Sequence, residues 1–202
     1  MKTHTTIIVL AAGQGSRFAG PGHKLAQSLE RSSVLGQTIT HAIESGLPVV
    51  VVTTERLAAE AARWVARRDL VVLPEVGSAG HAALSMGYSM AVGVAARPHA
   101  QGWLVLPGDM PMVRPASLLA VAQGLAQAPV VHAQYRGRRG HLVGYAAELY
   151  SELVQLQGDE GARRLNARYP SLDLELPDDG VLVDVDTAAD LAALRRPSAA
   201  AG

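Results

Sequence analysis

The sequence predicts a single-domain α/β protein with a Rossmann-like, mostly parallel sheet that carries helices on both faces. Short runs of β-branched and aliphatic residues alternate with longer segments of helical period, which is typical of strands joined by crossover helices. Most of these runs are apolar almost throughout, as expected for strands that are covered on both faces. With 202 residues, 49% of them hydrophobic, the chain is long enough to bury one substantial core.

The predicted strands are the apolar runs, which Gly, Pro or polar turns separate from the next segment. They span residues 6–10, 49–53, 70–73, 103–106, 130–134, 142–145 and 182–184. The predicted helices are mostly Ala-rich segments, which can pack closely on a sheet, at residues 34–45, 55–66, 82–94, 116–126, 146–156 and 187–194. We expect residues 1–196 to form one domain and residues 197–202 to be a disordered tail.

The balance of charge and the absence of cysteine exclude several classes of function. Lys and Arg total 18, as do Asp and Glu, so no net charge draws the chain to nucleic acid or to an acidic membrane surface. The lack of cysteine excludes a disulfide framework, a thiolate metal site and a cysteine nucleophile. The longest apolar runs are far shorter than the roughly 20 residues of a membrane-spanning helix, and no secretory signal is recognisable. We therefore expect a cytoplasmic protein without a nucleic-acid or membrane partner.

A glycine-rich loop follows the first predicted strand and is the most informative segment. It reads Leu-Ala-Ala-Gly-Gln-Gly-Ser-Arg-Phe from Leu10, with Lys24 shortly after it. Small residues let backbone N–H groups approach phosphate oxygens, and Arg17 and Lys24 can neutralise phosphate charge on either side. A tight turn with no ligand is the alternative interpretation. The loop matches neither the Walker motif nor the dinucleotide-binding motif, which weakens the interpretations as a nucleoside triphosphatase or a dehydrogenase.

Asp109 is the first candidate metal ligand. It follows the predicted strand 103–106, and a carboxylate at the C-terminal end of a parallel strand faces the crevice in which α/β proteins bind ligands. Mg²⁺ prefers hard oxygen ligands and needs only one or two carboxylates, because phosphates and water complete its coordination. The sequence therefore predicts a magnesium site at Asp109.

The glycine-rich loop, with the following Lys-Leu, resembles that of the MobA-like nucleotidyltransferases, and among these the molybdenum cofactor cytidylyltransferases. The resemblance implies a nucleotide-diphospho-sugar transferase-like fold and a nucleotidyltransferase domain. It also implies catalytic roles for Arg17, Lys24 and Asp109. The nucleotide-binding residues that it implies are Leu10, Ala11, Ala12, Gly13, Gly15, Arg17, Lys24, Gly80 and Asp109.

Later motifs extend the resemblance to about residue 194. The segment 184–191 resembles the closing motif of the family, which implies that Asp186, or alternatively Asp184, joins Asp109 at the metal; helix capping by Asp186 or Thr187 is the other interpretation. Two further segments imply an acceptor site at Gly140, His141, Asp159 and Arg163. A solvated basic turn and a helix N-terminus explain these two segments without a ligand. Ala83 and Leu142 depart from the family pattern.

The resemblance implies an enzyme that transfers CMP from CTP to the phosphate of the molybdenum-pterin cofactor, with Mg²⁺ as cofactor and pyrophosphate as the second product. The choice of CTP follows the Leu-Ala-Ala-Gly form of the first loop. The implied partners are the nucleoside triphosphate, the phosphorylated pterin acceptor and a client molybdoenzyme. The alternatives are a nucleotidyltransferase for a sugar phosphate or another small phosphorylated acceptor, and a non-catalytic maturation factor that binds nucleotide or cofactor.

Overall fold

The computed structural model describes residues 4–15, 18–29, 31–74, 85–158 and 160–195. The strands within these ranges are β1 (Thr6–Ala11), β2 (Ser28–Leu29), β3 (Ser32–Ser33), β4 (Val49–Thr54), β5 (Leu70–Leu73), β6 (Gly102–Pro107), β7 (Val130–Tyr135), β8 (Arg138–Ala146) and β9 (Ser171–Glu175). The helices within the same ranges are α1 (Val34–Glu44), α2 (Glu55–Ala61), α3 (Met86–Ala95), α4 (Pro115–Gly124), α5 (Tyr150–Leu153), α6 (Gly161–Arg168) and α7 (Ala188–Arg195).

Seven strands form one sheet in the order β5-β4-β1-β6-β8-β7-β9. The pairs β5/β4, β4/β1, β1/β6 and β7/β9 are parallel, whereas β8 runs antiparallel to both β6 and β7. Strands β2 and β3 form a separate small hairpin. The predicted α/β fold with a mostly parallel sheet is confirmed, and β8 is the one strand that reverses direction within the large sheet.

Helices cover both faces of the sheet, as predicted. One apolar cluster packs α1, α2, α4 and α7 on the first face, with Ile39, Leu118 and Leu191 among its buried residues. A second cluster packs α3, α5 and α6 on the opposite face around Met90, Leu153 and Leu165. No helix of the described segments is both long and apolar enough to cross a membrane.

The predicted strand 182–184 is wrong. A 3-10 turn occupies Asp179–Leu182, and the chain then continues without strand pairing. Val181 and Val185 are fully buried, so this apolar run contributes to the core without joining the sheet. The seventh strand is instead β9, an edge strand in which Leu172 and Leu174 alternate with more exposed polar residues.

Two predicted helices are shorter than expected. The segment 146–156 forms a 3-10 turn at Ala147–Leu149 followed by α5. Helix α2 ends at Ala61. The hydrogen bonds from the Arg63 and Trp64 N–H groups then span three residues instead of four, and the Trp64 side chain packs against Gly36 of α1. The start of the predicted helix 82–94 and the predicted tail 197–202 lie outside the described residues.

Candidate functional site

The C-terminal ends of β1 and β6 form the floor of the candidate site. These two strands are parallel neighbours with Leu10 opposite Pro107, so the loops that follow them leave the sheet at the same edge. The Gly108 N–H donates a hydrogen bond to the Leu10 carbonyl at 2.8 Å. A Cβ at Gly108 would lie 2.9 Å from that carbonyl oxygen, so the close approach of the two loops requires glycine.

Three carboxylates converge at this edge. Asp109 follows Gly108, and its carbonyl accepts a hydrogen bond from the Val185 N–H at 2.9 Å, which fixes the segment between the Asp179–Leu182 turn and α7 beside it. Carboxylate oxygens of Asp109, Asp184 and Asp186 lie within 4.8 Å of one another. Hard oxygen ligands at this spacing suit a divalent cation of the magnesium type. The two residues predicted as metal ligands, Asp109 and Asp186, are therefore close together, and Asp184 joins them.

Lys24 lies between two of these carboxylates. Its Nζ donates to Oδ2 of Asp109 at 2.6 Å and to Oδ1 of Asp186 at 2.7 Å, and its side chain is only 12% exposed. Burial alone would lower the pKa of Lys24, but the hydrogen bonds and charges of the two aspartates outweigh burial and raise it above its ordinary value. Lys24 is therefore protonated at neutral pH, and its charge balances part of the acidic cluster.

His23 connects the glycine-rich loop to the Lys24 segment. Its Nε2 donates to the Gly13 carbonyl at 2.9 Å, and its Nδ1 accepts from the Leu25 N–H at 3.2 Å. Burial lowers the pKa of His23, and the nearby cations of Arg56 and Lys24 act in the same direction, against the opposing effect of the Gly13 hydrogen bond. The ring is therefore neutral. No role was predicted for His23 from the sequence, and only its position beside Lys24 in the motif pointed to one.

The first turn of α7 shows which of its polar residues cap the helix. Thr187 Oγ1 accepts from the Asp190 N–H at 3.2 Å, and Asp190 Oδ2 accepts in return from the Thr187 N–H at 2.7 Å. This reciprocal pair is a capping box. Asp190 Oδ2 also accepts a hydrogen bond from the Asp186 N–H at 3.1 Å. The Thr187 hydroxyl donates a further hydrogen bond to the same oxygen, and this bond is the main cause that lowers the pKa of Asp190. Capping thus uses Thr187 and Asp190, while the Asp186 side chain faces Lys24.

The predicted acceptor residues that the structure describes lie on β8 and α6. Gly140 and His141 are part of β8 itself, and the turn before them is formed by Arg136 and Gly137, which have positive φ angles of 48° and 75°. A Cβ at Gly140 would lie 2.2 Å from the Val181 carbonyl oxygen, so glycine is needed there for packing. His141 and Arg163 are exposed. The predicted acceptor role of these residues stays a prediction.

The remaining predicted residues divide into two groups. Arg17, Gly80 and Asp159 lie outside the described residues. Ala11 and Ala12 are buried, so any contact that they make with a nucleotide is through the backbone. Gly13 is exposed, and so is its neighbour Gln14, which was not predicted as a site residue.

Asp178 is a buried acidic residue for which no role was predicted from the sequence. It is 2% exposed, and its carboxylate accepts hydrogen bonds from the Arg114 N–H at 2.9 Å, the Ser117 hydroxyl at 2.6 Å and the Gly180 N–H at 3.0 Å. It thereby joins the start of α4, which follows the Asp109 loop, to the 3-10 turn that precedes Asp184. Its position among polar residues after Pro177 gave no sign that the carboxylate is buried.

The site combines groups that can bind a polyphosphate with a metal ion. One edge of the sheet brings together a loop with exposed residues at Gly13 and Gln14, the partly buried Lys24 ammonium and three clustered carboxylates. Backbone N–H groups and a lysine suit phosphate oxygens, while the carboxylates suit the cation that accompanies them.

Comparison with known proteins identifies relatives of the whole chain. Rv0371c from Mycobacterium tuberculosis H37Rv is similar in structure, with 28% sequence identity and a TM-score of 0.78 over 96% of this chain and 98% of that chain. Its complex with manganese gives 28% identity and a TM-score of 0.76, with the same two coverages. No curated protein sequence matches the chain significantly.

Two more distant structures share the fold. A nucleotidyl transferase from Methanothermobacter thermautotrophicus is 23% identical, with a TM-score of 0.77 over 96% of this chain and 97% of that chain. The molybdopterin-guanine dinucleotide biosynthesis protein A of Archaeoglobus fulgidus is 16% identical, with a TM-score of 0.68 over 95% and 97%. At these identities the similarity shows the fold alone.

The family model of the MobA-like NTP transferase domain matches residues 7–172, which is most of the chain. The match includes the glycine-rich loop, Lys24 and Asp109. The chain therefore belongs to the MobA-like NTP transferase family and is a nucleotidyltransferase.

Proposed function

We propose that this protein transfers CMP from CTP to the phosphate of the molybdenum-pterin cofactor and releases pyrophosphate in a Mg²⁺-dependent reaction. The observation that carries the proposal is the cluster of Lys24, Asp109 and Asp186 beside the glycine-rich loop. The cluster supplies a cation for phosphate oxygens and carboxylates for a metal ion within one small volume.

The carboxylates fit a magnesium ion. Asp109 and Asp186 would hold it, with Asp184 as a third oxygen ligand, and positions would remain for phosphate oxygens and water. When bound, the ion would neutralise negative charge on the phosphates. The manganese complex of Rv0371c, which is 28% identical to this chain, supports a divalent cation as cofactor.

The identity of the base and of the acceptor rests on the motifs. The Leu10 to Gly13 segment has the Leu-Ala-Ala-Gly form that favours CTP, and the segment 158–163 has the Gly-Asp-Glu-Gly-Ala-Arg form that favours a molybdenum-pterin acceptor. The fold shared with a molybdopterin-guanine dinucleotide biosynthesis protein is compatible with such an acceptor. A client molybdoenzyme that receives the finished cofactor is the protein partner that follows from this proposal.

The proposed reaction forms one bond and breaks another at the α-phosphorus. A phosphate oxygen of the acceptor attacks in line, and the bond to the oxygen that bridges to the β-phosphate breaks. Pyrophosphate leaves with that electron pair, and no protein nucleophile is needed. Arg17 and Lys24 bind the β- and γ-phosphates and stabilise the developing charge. Gly140, His141, Asp159 and Arg163 seat the acceptor near the α-phosphorus.

The test is magnesium-dependent release of pyrophosphate with CTP, GTP, ATP and UTP, each with and without the molybdenum-pterin acceptor. We expect release only with CTP and the acceptor together. Asp109→Asn, which keeps the shape of the side chain, should lower kcat by about 100-fold or more because a carboxylate that would hold the metal ion is lost. Asp179→Asn, at an exposed aspartate of the nearby 3-10 turn, is the matched control.

Other outcomes would replace the proposal with one of its alternatives. Release with CTP and a sugar phosphate, but not with the molybdenum-pterin acceptor, would identify a sugar-phosphate nucleotidyltransferase. Nucleotide binding without turnover on any acceptor would favour a non-catalytic maturation factor. Turnover with GTP in place of CTP would overturn the choice of base and leave the reaction type intact.

A further inference from the structure

His23 is buried beneath the glycine-rich loop and is 7% exposed. Its Nε2 bonds to the Gly13 carbonyl and its Nδ1 to the Leu25 N–H. A carbonyl oxygen can only accept a hydrogen bond and a backbone N–H can only donate one, so these two partners require the neutral Nε2–H tautomer. The ring therefore cannot serve as a positive charge for phosphate while both bonds are in place.

The ring packs directly against the loop. A Cβ at Gly15 would lie 3.3 Å from His23 Nε2 and 3.3 Å from Lys24 Cγ, and Gly15 has a positive φ of 64°. The loop, His23 and Lys24 are thus packed together.

The bond to Gly13 fixes the orientation of one peptide group. In a planar trans peptide the carbonyl and the following N–H point in opposite directions. Because the Gly13 carbonyl points down to His23, the Gln14 N–H points away from the ring. Gln14 is exposed, and its N–H makes no hydrogen bond to any residue that the structure describes. Among the described residues, the peptide therefore presents a donor without a partner on the side of the loop away from His23.

We infer that His23 is a positioning residue that holds the Gly13–Gln14 peptide so that the Gln14 N–H donates to a phosphate oxygen of the bound nucleotide. The inference rests on the phosphate-binding role that the proposed function gives to this loop. Burial lowers the pKa of His23, which maintains the neutral ring at physiological pH. His23 acts through the backbone and does not touch the reacting atoms.

Two variants separate the two bonds of the ring. In His23→Gln the side-chain amide nitrogen reaches the position of Nε2 and can still donate to the Gly13 carbonyl. In His23→Asn the side-chain oxygen reaches the position of Nδ1 and can still accept from the Leu25 N–H. His23→Ala removes both bonds, and its thermal unfolding midpoint serves as the measure of stability against which the other two are compared.

The probe is inorganic pyrophosphate with Mg²⁺, measured by calorimetry, because its binding depends on the loop and not on the base or the acceptor. We expect His23→Gln to bind close to wild type, and His23→Asn and His23→Ala to bind about tenfold more weakly, the effect of one well-placed hydrogen bond. Steady-state assays with CTP should show the same order in KM, with smaller changes in kcat.

The inference is overturned if His23→Gln and His23→Asn bind pyrophosphate equally, or if affinity merely follows the unfolding midpoints, which would indicate a purely structural role. Failure of the proposed function looks different. In that case the wild-type protein binds pyrophosphate but does not turn over CTP with the molybdenum-pterin acceptor, and the order of the His23 variants is still measurable.

Discussion

The Lys24 ammonium lies 2.6 Å from Oδ2 of Asp109, so it occupies one of the carboxylate oxygens to which we assign a metal ion. Its second hydrogen bond is to Asp186, another of the proposed metal ligands. A lysine and a divalent cation cannot both bind the same oxygens at full strength, because their charges repel one another at short range. We therefore expect Lys24 to compete with free metal, and we expect a nucleotide whose phosphates bind Lys24 to relieve that competition.

Replacing Lys24 by methionine should strengthen metal binding in the absence of nucleotide. Methionine fills a similar volume but carries no charge, so the two aspartates lose their internal counter-ion. We expect Lys24→Met to bind Mn²⁺ about tenfold more tightly than wild type in a titration followed by electron paramagnetic resonance, a difference of about 1.4 kcal/mol.

The same variant should bind CTP more weakly, because the phosphate contact that the proposed function gives to Lys24 would be lost. Arg63→Met, at an exposed cation just beyond α2, is the control for a general change in charge. Unchanged or weaker Mn²⁺ binding by Lys24→Met would show that the lysine does not compete for the site.

The pairing of Lys24 with the aspartates illustrates what the sequence could not provide. Lys24 is separated from Asp109 by 85 positions and from Asp186 by 162, so no motif spacing relates them. Each residue could be assigned to the site separately, because the ends of parallel strands face one edge and because the motifs resemble a family. That the lysine bonds to both carboxylates depends on two tertiary contacts: Gly108 places the Asp109 loop against the end of β1, and the Val185 N–H bond to the Asp109 carbonyl brings Asp186 beside it.

The central strands were predicted well because they are covered on both faces and therefore read as continuous apolar runs. Strand β9 was missed because it is an edge strand, and only Leu172 and Leu174 mark its buried side. The run at 182–184 was predicted as a strand because it is apolar, although it does not pair with the sheet. Its neighbours Val181 and Val185 are buried by packing, while the backbone at Gly180 approaches the Met112 carbonyl too closely for a side chain.

Gly140 should be essential for stability. A Cβ there would meet the Val181 carbonyl oxygen, and neither backbone can move easily. We expect Gly140→Ala to lower the free energy of unfolding by about 1–3 kcal/mol in urea denaturation, as is usual for overpacking. His141→Ala, at the exposed neighbour, should leave stability within about 0.5 kcal/mol of wild type and raise KM for the acceptor. A stable Gly140→Ala protein with weakened acceptor binding would instead favour a direct binding role for Gly140.

Asp178 should support the metal site from a distance. Asp178→Ala leaves the Arg114 and Gly180 N–H groups and the Ser117 hydroxyl without their acceptor, and we expect a loss of about 2–4 kcal/mol in the free energy of unfolding. Because the 3-10 turn leads to Asp184 and Asp186, Mn²⁺ binding should weaken in the same variant. Ser117→Ala, which removes one of these bonds, should cost about 1 kcal/mol and leave Mn²⁺ binding close to wild type. Equal stability of Asp178→Ala and wild type would contradict this role.

His132 should make the protein sensitive to acid. It is 5% exposed in β7, and its Nε2 has no hydrogen-bond partner among the described residues. Burial lowers the pKa of His132, and Arg139 lowers it further, against the weaker opposing effect of Asp173. The unfolded chain therefore binds a proton at a higher pH than the folded protein does. Stability should be lost as the pH falls below the ordinary histidine pKa of 6.5, and the loss should continue until the pH passes the lowered pKa.

Replacing His132 by leucine tests this explanation. Leucine removes both the proton-binding group and the unpaired buried nitrogen, so we expect His132→Leu to be more stable than wild type by about 1 kcal/mol at neutral pH. The free energy of unfolding, measured in urea at several pH values, should also fall less steeply with acidification in the variant. Some acid dependence should persist, because the pKa of His23 is lowered too and has the same sign of effect. If wild type and His132→Leu lose stability in parallel below the ordinary histidine pKa, protonation of His132 is not the cause.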